Sequence, residues 1–333
     1  MTIARLRVEQ AGPLTTIQDA GRFGHLRHGV TWSGPVEPLG FAAANAALGN
    51  APGTAAIELS HGGIALRCLE GSVRLALAGG DFSATIDGQA LGSWTTGVLN
   101  AGARLVIRDG SDGNWATLAF AGALETRRWL GSAATLALAG LGGGRIEPGA
   151  TLTIDSAPIT DAASRAITPP PIEIGPLRVV PGPQSQFFAP ETAALLTSAE
   201  FIAGPAFDRM GLVLSGPPLS PRDLTMLSTP VIRGGIQING AGTPTILLAD
   251  HQTTAGYPRL ATVISADLPR AAQARPGTSL RFAAVTVAEA VAIARDTATR
   301  RRQWLAQVAD TRSLLDRLLG SNLIDGVVNA GEA

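Results

Sequence analysis

Short apolar runs separated by glycine-bearing turns dominate the chain. An alternating stretch over residues 3–8 predicts a first strand, which Gly12 and Pro13 end. Between residues 56 and 154 further runs fall at 56–59, 64–69, 73–77, 82–86, 104–107, 115–120 and 151–154. Gly79-Gly80, Asp87-Gly88, Asp109-Gly110 and Asp112-Gly113 punctuate them. Many short strands joined in this way predict an antiparallel barrel or sandwich. The pattern resumes at 172–174, 177–180, 201–202, 212–214, 236–238, 246–248, 262–264 and 280–282. No strand–helix–strand rhythm is present, so a dinucleotide-binding sheet is disfavoured. The glycine run at 140–144 lacks the spacing and the helix of a phosphate loop.

Helical patterns are few. Leu39–Leu48 is alanine-rich, with Gly49 as its stop. Phe187–Leu196 predicts a short helix. Val287–Leu319 predicts a longer one, carrying Trp304, Val308, Leu315 and Leu319 at helical spacing, with Arg300, Arg301 and Arg302 on its solvated side. Residues 155–171 end in three prolines and form a stiff linker. The expected organisation is a mainly β chain with one unit over 1–160, a second over 172–285, and a C-terminal helix over 286–320.

Composition narrows the chemistry. The chain has 333 residues, 45% hydrophobic and 16% charged, with a formal net charge of zero. That allows a large core and argues against nucleic acid, which requires a basic face. All basic residues are arginine. Without lysine there is no Walker side chain, no Schiff base and no attachment point for biotin. The lone cysteine, Cys68, lies in an apolar run and reads as a buried structural thiol. No basic-then-apolar leader and no run long enough to cross a membrane is present, so a cytoplasmic location is expected. His25 and His28 lack a third ligand nearby, so no metal is expected. Ser33 does not sit in a nucleophile elbow.

Polar residues cluster in four places. Leu248–Pro258 (LADHQTTAGYP) sets Asp250, His251, Gln252, Thr253, Thr254 and Tyr257 between two apolar runs. Residues 14–25 set Gln18, Asp19 and Arg22 among glycines. Asp208 and Arg209 adjoin, and Gly234-Gly235 leads into Gln237. Arginine grips carboxylates in a bidentate fork, so Arg22 and Arg209 are candidate anion anchors. Asp250 and Asp19 are candidate acid–base groups, and Gln18 and Gln252 can pair with an amide. Capped turns and a structural ion pair at Arg209 are the bland alternatives for the same residues.

The segments TTIQDAGR (15–22), Ser33-Gly34-Pro35 with Asn45 and Asn50, AAIE (55–58), DRMG (208–211), GIQ (235–237) and LADHQTTAGYP (248–258), running on to ISADL (264–268), occur in that order. On them the chain resembles the biotin-dependent carboxyltransferase family, which includes the PxpC subunits of 5-oxoprolinases, the KipA proteins and the allophanate-hydrolase-like half of urea carboxylases. The resemblance implies two cyclophilin-like β-barrel domains. It implies a protein that opens 5-oxoproline to glutamate, with ATP bound through a complex with PxpB/KipI-like and PxpA-like partners. Two other roles belong to the family. One is a carboxyltransferase component acting on urea or a related amide, with biotin on a separate carrier. The other is KipA-like regulation without turnover. Carried onto this sequence, the catalytic candidates are Asp250, Gln252, Asp208 and Arg209. The substrate-binding candidates are Gln18, Asp19, Arg22, Ser33, Gln237, Thr253, Thr254 and Tyr257. The sequence departs from the family pattern at Trp32, Val36-Glu37, 227–233 and His251, where arginine is usual.

Overall fold

The computed structural model describes residues 2–310 except 157, 158, 160–162, 172 and 224. The first unit is built from two antiparallel sheets. One runs, edge to edge, Gly122–Leu124, Thr151–Ser156, Thr2–Ala11, Ile64–Glu70, Arg104–Arg108, Ser83–Ile86 and Gln89–Gly92. The other runs Thr16–Gln18, Ala56–Leu59, Ala116–Phe120, Ser72–Ala78 and Thr95–Asn100. Alternate residues of both point into one core of Leu6, Leu66, Leu75, Leu118 and Phe120. Cys68 belongs to that core, as an inert thiol should.

The second unit is built on one eight-stranded sheet, with a two-stranded sheet of Thr229–Pro230 and Thr254–Ala255 beside it. The order of the larger sheet is Ser279–Leu280, Phe201–Phe207, Gly211–Ser215, Pro244–Leu247, Gly235–Ile238, Arg259–Val263, Leu177–Pro181 and Phe282–Ala284. Its two edge strands are separated in sequence by Arg281 alone, so the sheet curls until its edges nearly meet. That curl leaves only two short edge strands, of two and three residues. The architecture is mainly β with four α-helices among the described residues.

Helix α1 (Pro38–Ala47) has Glu37 as its N-cap, and the Glu37 carboxylate accepts from the amides of Leu39 and Gly40. Its small residues Gly40, Ala43, Ala44 and Ala47 let it lie close on Ala76, Ala78 and Ala119. A Cβ at Gly40 would stand 2.8 Å from the Ala78 carbonyl oxygen. The segment 187–196 departs from the expected single helix. A 3-10 turn at Ser185–Phe187 precedes helix α2 (Pro190–Ser198), because Pro190 is suited to a first helical position and not to an interior one. Glu173 and Ile174 form no strand. Pro171, Gly175 and Pro176 flank them, and Ile174 is 96% exposed. Helix α3 (Leu268–Ala272) follows the last long strand.

Helix α4 (Val287–Ala309) opens with a capping box of Thr286 and Glu289. The expected extension to Leu319 lies outside the described residues. The arginine triplet does not simply face solvent. Arg300 pairs with Glu173 and Asp296, and Arg301 donates to the Ala266 carbonyl. Trp304 is buried against Trp94 and donates to the Thr168 carbonyl at 2.8 Å. One helix thus ties the first unit, the linker and the second unit together.

The units share interior. Val36 and Trp115 of the first belong to the core of the second. Asn114 Nδ2 donates to the carbonyls of Ala272 and Ala274.

Candidate functional site

The strand pair Phe201–Phe207 and Gly211–Ser215 turns at Asp208, Arg209 and Met210. Asp208 Oδ1 accepts from the amides of Met210 and Gly211, which closes the turn. The two side chains at the tip part company. Asp208 is exposed and lines a cavity of about 450 Å³, whereas Arg209 is buried and points between the units.

The cavity is also lined by Phe207, Gln237, Asn239, Gln252 and Tyr257. Gln237 lies on the strand Gly235–Ile238 and is 7% exposed. The register shift beside it leaves Leu260 as the extra residue on the partner strand Arg259–Val263, not at the glycine pair. Gln252 Nε2 donates to Gln237 Oε1 at 3.1 Å, and Gln237 Nε2 has no partner. Whichever way the two amides are turned, a glutamine pair satisfied once leaves an N–H donor and a carbonyl acceptor over. Those are the two groups that an amide or a urea engages. The described lining residues include no cationic side chain.

Behind the turn, Arg209 holds the interface. Its Nε and Nη2 donate to both Asp250 oxygens at 2.8 and 3.0 Å, its Nη1 bonds Glu58, and its Nη2 also reaches the Gly34 carbonyl at 2.7 Å. Glu58 accepts from the Val36 amide at 2.6 Å, and Arg233 donates to the Val36 carbonyl at 2.5 Å. Burial works against the Arg209 charge, but Asp250 and Glu58 outweigh it and hold the guanidinium above its ordinary range. Burial raises the Glu58 carboxyl, with Arg209 as the chief opposing influence. With both oxygens engaged and 6% exposure, Asp250 is placed to fix the interface, not to exchange protons with a ligand in the cavity. Sequence reasoning offered an ion pair for Arg209 but passed over Glu58 and Arg233. An acid inside the apolar strand Ala56–Leu59 is the signal that points to Glu58.

His251 is buried. Its Nδ1 lies 2.6 Å from the Gln252 carbonyl, and burial lowers its pKa. Thr253 contributes its carbonyl to Val231, and Thr254 is exposed on a two-residue strand; neither lines the cavity.

The remaining candidates lie in the first unit, apart from the cavity. Asp19 binds Ser132 Oγ and the amides of Gly21, Ala133 and Ala134, so it shapes the loop. Gln18 Nε2 donates to Thr16 Oγ1 and the Thr135 carbonyl. Ser33 is buried at φ 54°, and its hydroxyl has no partner. Arg22 is 2% exposed.

Glu37 forms a second titratable feature beside a larger cleft of about 530 Å³ under α4. Burial raises its carboxyl to about 7. The folded protein therefore holds this proton where the unfolded chain, at 4.5, has released it. The resulting stability is fully present below pH 4.5 and is lost as pH rises through about 7, a change of about 3 kcal/mol. Thermal melting of Glu37→Gln is expected to lack this part of the wild-type decline. An identical pH profile in both proteins would refute the assignment.

The chain is similar to known proteins. The family profile described as carboxyltransferase domain, subdomain A and B, matches residues 28–284. The C-subunit of 5-oxoprolinase from Haemophilus influenzae is 32% identical over 284 residues, covering 84% of this chain and 91% of that one. A putative urea carboxylase of Emericella nidulans is 29% identical over 86% of this chain, which spans 24% of that longer protein. In three dimensions the Kluyveromyces lactis urea carboxylase superposes with a TM-score of 0.81 at 22% identity, over 90% of this chain and 29% of that one, which shows a shared fold.

Proposed function

The chain belongs to the carboxyltransferase domain family, subdomains A and B, and on that footing we propose that it is the PxpC-type subunit of a 5-oxoprolinase complex. The observation that carries this reading is the glutamine pair in the cavity. A lactam presents one carbonyl and one N–H side by side. Gln237 Nε2 donates to the carbonyl, and Gln252 Oε1 accepts from the N–H. A site that leaves its own amides unpaired without ligand discriminates strongly for a ligand that pairs them.

Asp208 is the acid–base group of this reading. Its Oδ1 is held by two backbone amides, so the carboxyl is oriented, and it faces the cavity from an exposed position. It takes a proton from the attacking water and passes one to the departing ring nitrogen. ATP, bound through the complex, would transfer its γ-phosphoryl group to the lactam oxygen with ADP leaving; the ring carbon is then the electrophile for water, the C–N bond breaks, and a second water releases phosphate. The chain's lack of lysine agrees with a nucleotide site on partners of the PxpA and PxpB/KipI type.

A second reading has its own observation. Among the described residues no cation lines the cavity, and urea, unlike 5-oxoproline, has no carboxylate to neutralise. A carboxyltransferase acting on urea, with biotin on a separate carrier, uses the same glutamine pair. The two are separated by assay of the chain with its sister subunits. ATP-dependent release of glutamate from 5-oxoproline is expected. Its absence, with biotin-dependent carboxylation of urea in its place, selects the second reading.

A further inference from the structure

Arg22 is a buried guanidinium with no carboxylate of its own. It is 2% exposed, and among the described residues no acid forms an ion pair with it. Its Nη2 donates to the Ala134 carbonyl, while Nε and Nη1 have no partner. The two acids whose charges act on it are both committed elsewhere. Asp19 is bonded to Ser132 and three backbone amides, and Asp250 to Arg209. Guanidinium does not escape by losing its proton, so an uncompensated charge at this depth calls for an anion. Gln18 is anchored on the same segment, 134–135. Its Nε2 bonds the Thr135 carbonyl, next along the chain from the one Arg22 bonds, and its Oε1 has no partner.

The surroundings give an approach. The half-buried ring of Trp129 lies 5.4 Å from Arg22 Cζ and forms the cover. Arg127 and Arg128 are exposed immediately before it in the chain, Arg128 lying 3.6 Å from Asp19, and the exposed Phe23 and Trp32 rings meet at 5.4 Å in a tilted pair on the loop that carries Arg22. The Arg127 charge beside a buried cation raises the local concentration of anions.

We propose that Arg22 forms, with Gln18, a site for a small oxyanion, closed by the Trp129 ring and separate from the glutamine cavity. The free N–H groups of Nε and Nη1 flank the Nη2 that the Ala134 carbonyl occupies, so they meet an oxyanion as separate charge-assisted donors and not as one fork. Gln18 Oε1 accepts from a protonated oxygen or an N–H of the same ligand. A carboxylate and a phosphate share this chemistry. In an ATP-driven amide-opening complex each arises, one on the substrate and one as a product. The site rests on the reading above only for the choice of 5-oxoproline as the carboxylate probe.

The test titrates the full chain with inorganic phosphate and, separately, with 5-oxoproline at constant ionic strength, reading tryptophan fluorescence and melting temperature. One of the two is expected to quench fluorescence saturably and to raise the melting temperature. Arg22→Met is expected to lose both responses. Trp129→Phe is expected to keep the thermal shift and lose the quenching. The phosphate and 5-oxoproline arms identify the source of the oxyanion. A wild-type protein that answers neither anion overturns the proposal, as does Arg22→Met answering like wild type. Should Arg22→Met fail to fold, quenching that persists in Trp129→Phe comes from another tryptophan and overturns it equally. Binding is read without turnover. Absent glutamate release with intact binding therefore removes the functional reading alone, and the reverse result removes the site alone.

Discussion

Replacing Arg209 with methionine is expected to lower the free energy of unfolding by about 3–5 kcal/mol. Methionine matches the length of the stem, so little packing is lost. The loss comes from what remains. Asp250 and Glu58, 6% and 2% exposed, would face each other in the interior without their shared cation. Buried carboxylates in that position either keep an unfavourable charge or take up protons. Because Glu58 belongs to the first unit and Asp250 to the second, the damage falls on their junction. Urea unfolding followed by tryptophan fluorescence should show a lower midpoint, with the cooperativity of the two units weakened. An unfolding free energy within about 0.5 kcal/mol of wild type would mean that the ion cluster contributes nothing to the junction.

Asp208→Asn is expected to reduce turnover by the assembled subunits by about 10²–10⁴-fold while leaving the melting temperature unchanged. The separation follows from which oxygen does what. Oδ1 accepts the Met210 and Gly211 amides, and asparagine retains an oxygen to do so. Only the ability to take and return a proton disappears. The adjacent Arg209 gives the opposite signature, a loss of stability from a residue that does not line the cavity. Should Asp208→Asn turn over normally, proton transfer must be assigned to another group of the assembled subunits.

The strands of both units are legible in the sequence, because alternating burial leaves a period of two in the apolar positions. At Ala116–Phe120 every residue is buried, and a continuous apolar run is the signal instead. Closure of the second sheet was not legible. Ser279–Leu280 and Phe282–Ala284 read as one strand, and only the curl of the sheet assigns them to opposite edges. The proline-flanked residues 173–174 carried a strand-like composition without a neighbour to pair with.

The site was legible in type but not in arrangement. Asp208, Gln237, Gln252 and Tyr257 were candidates by chemistry, and the fold brings them to one cavity. Gln18, Asp19, Arg22 and Ser33 had similar credentials, yet they sit in a different unit, because a loop's composition does not say which sheet it decorates. Arg209 and Asp250 have the chemistry of ligand-binding groups, but Glu58, 151 positions from Arg209 in sequence, completes their cluster and makes it structural. No local pattern encodes a partner at that separation.

Everything proposed for the cavity depends on an amide group being held between Gln237 and Gln252. A crystal structure of the full chain soaked in 5-oxoproline or urea tests this most directly. Ligand density is expected in the cavity, its carbonyl oxygen within hydrogen-bonding distance of Gln237 Nε2 and its N–H on Gln252. Density for the amide anywhere else, with this cavity holding only solvent, would contradict it.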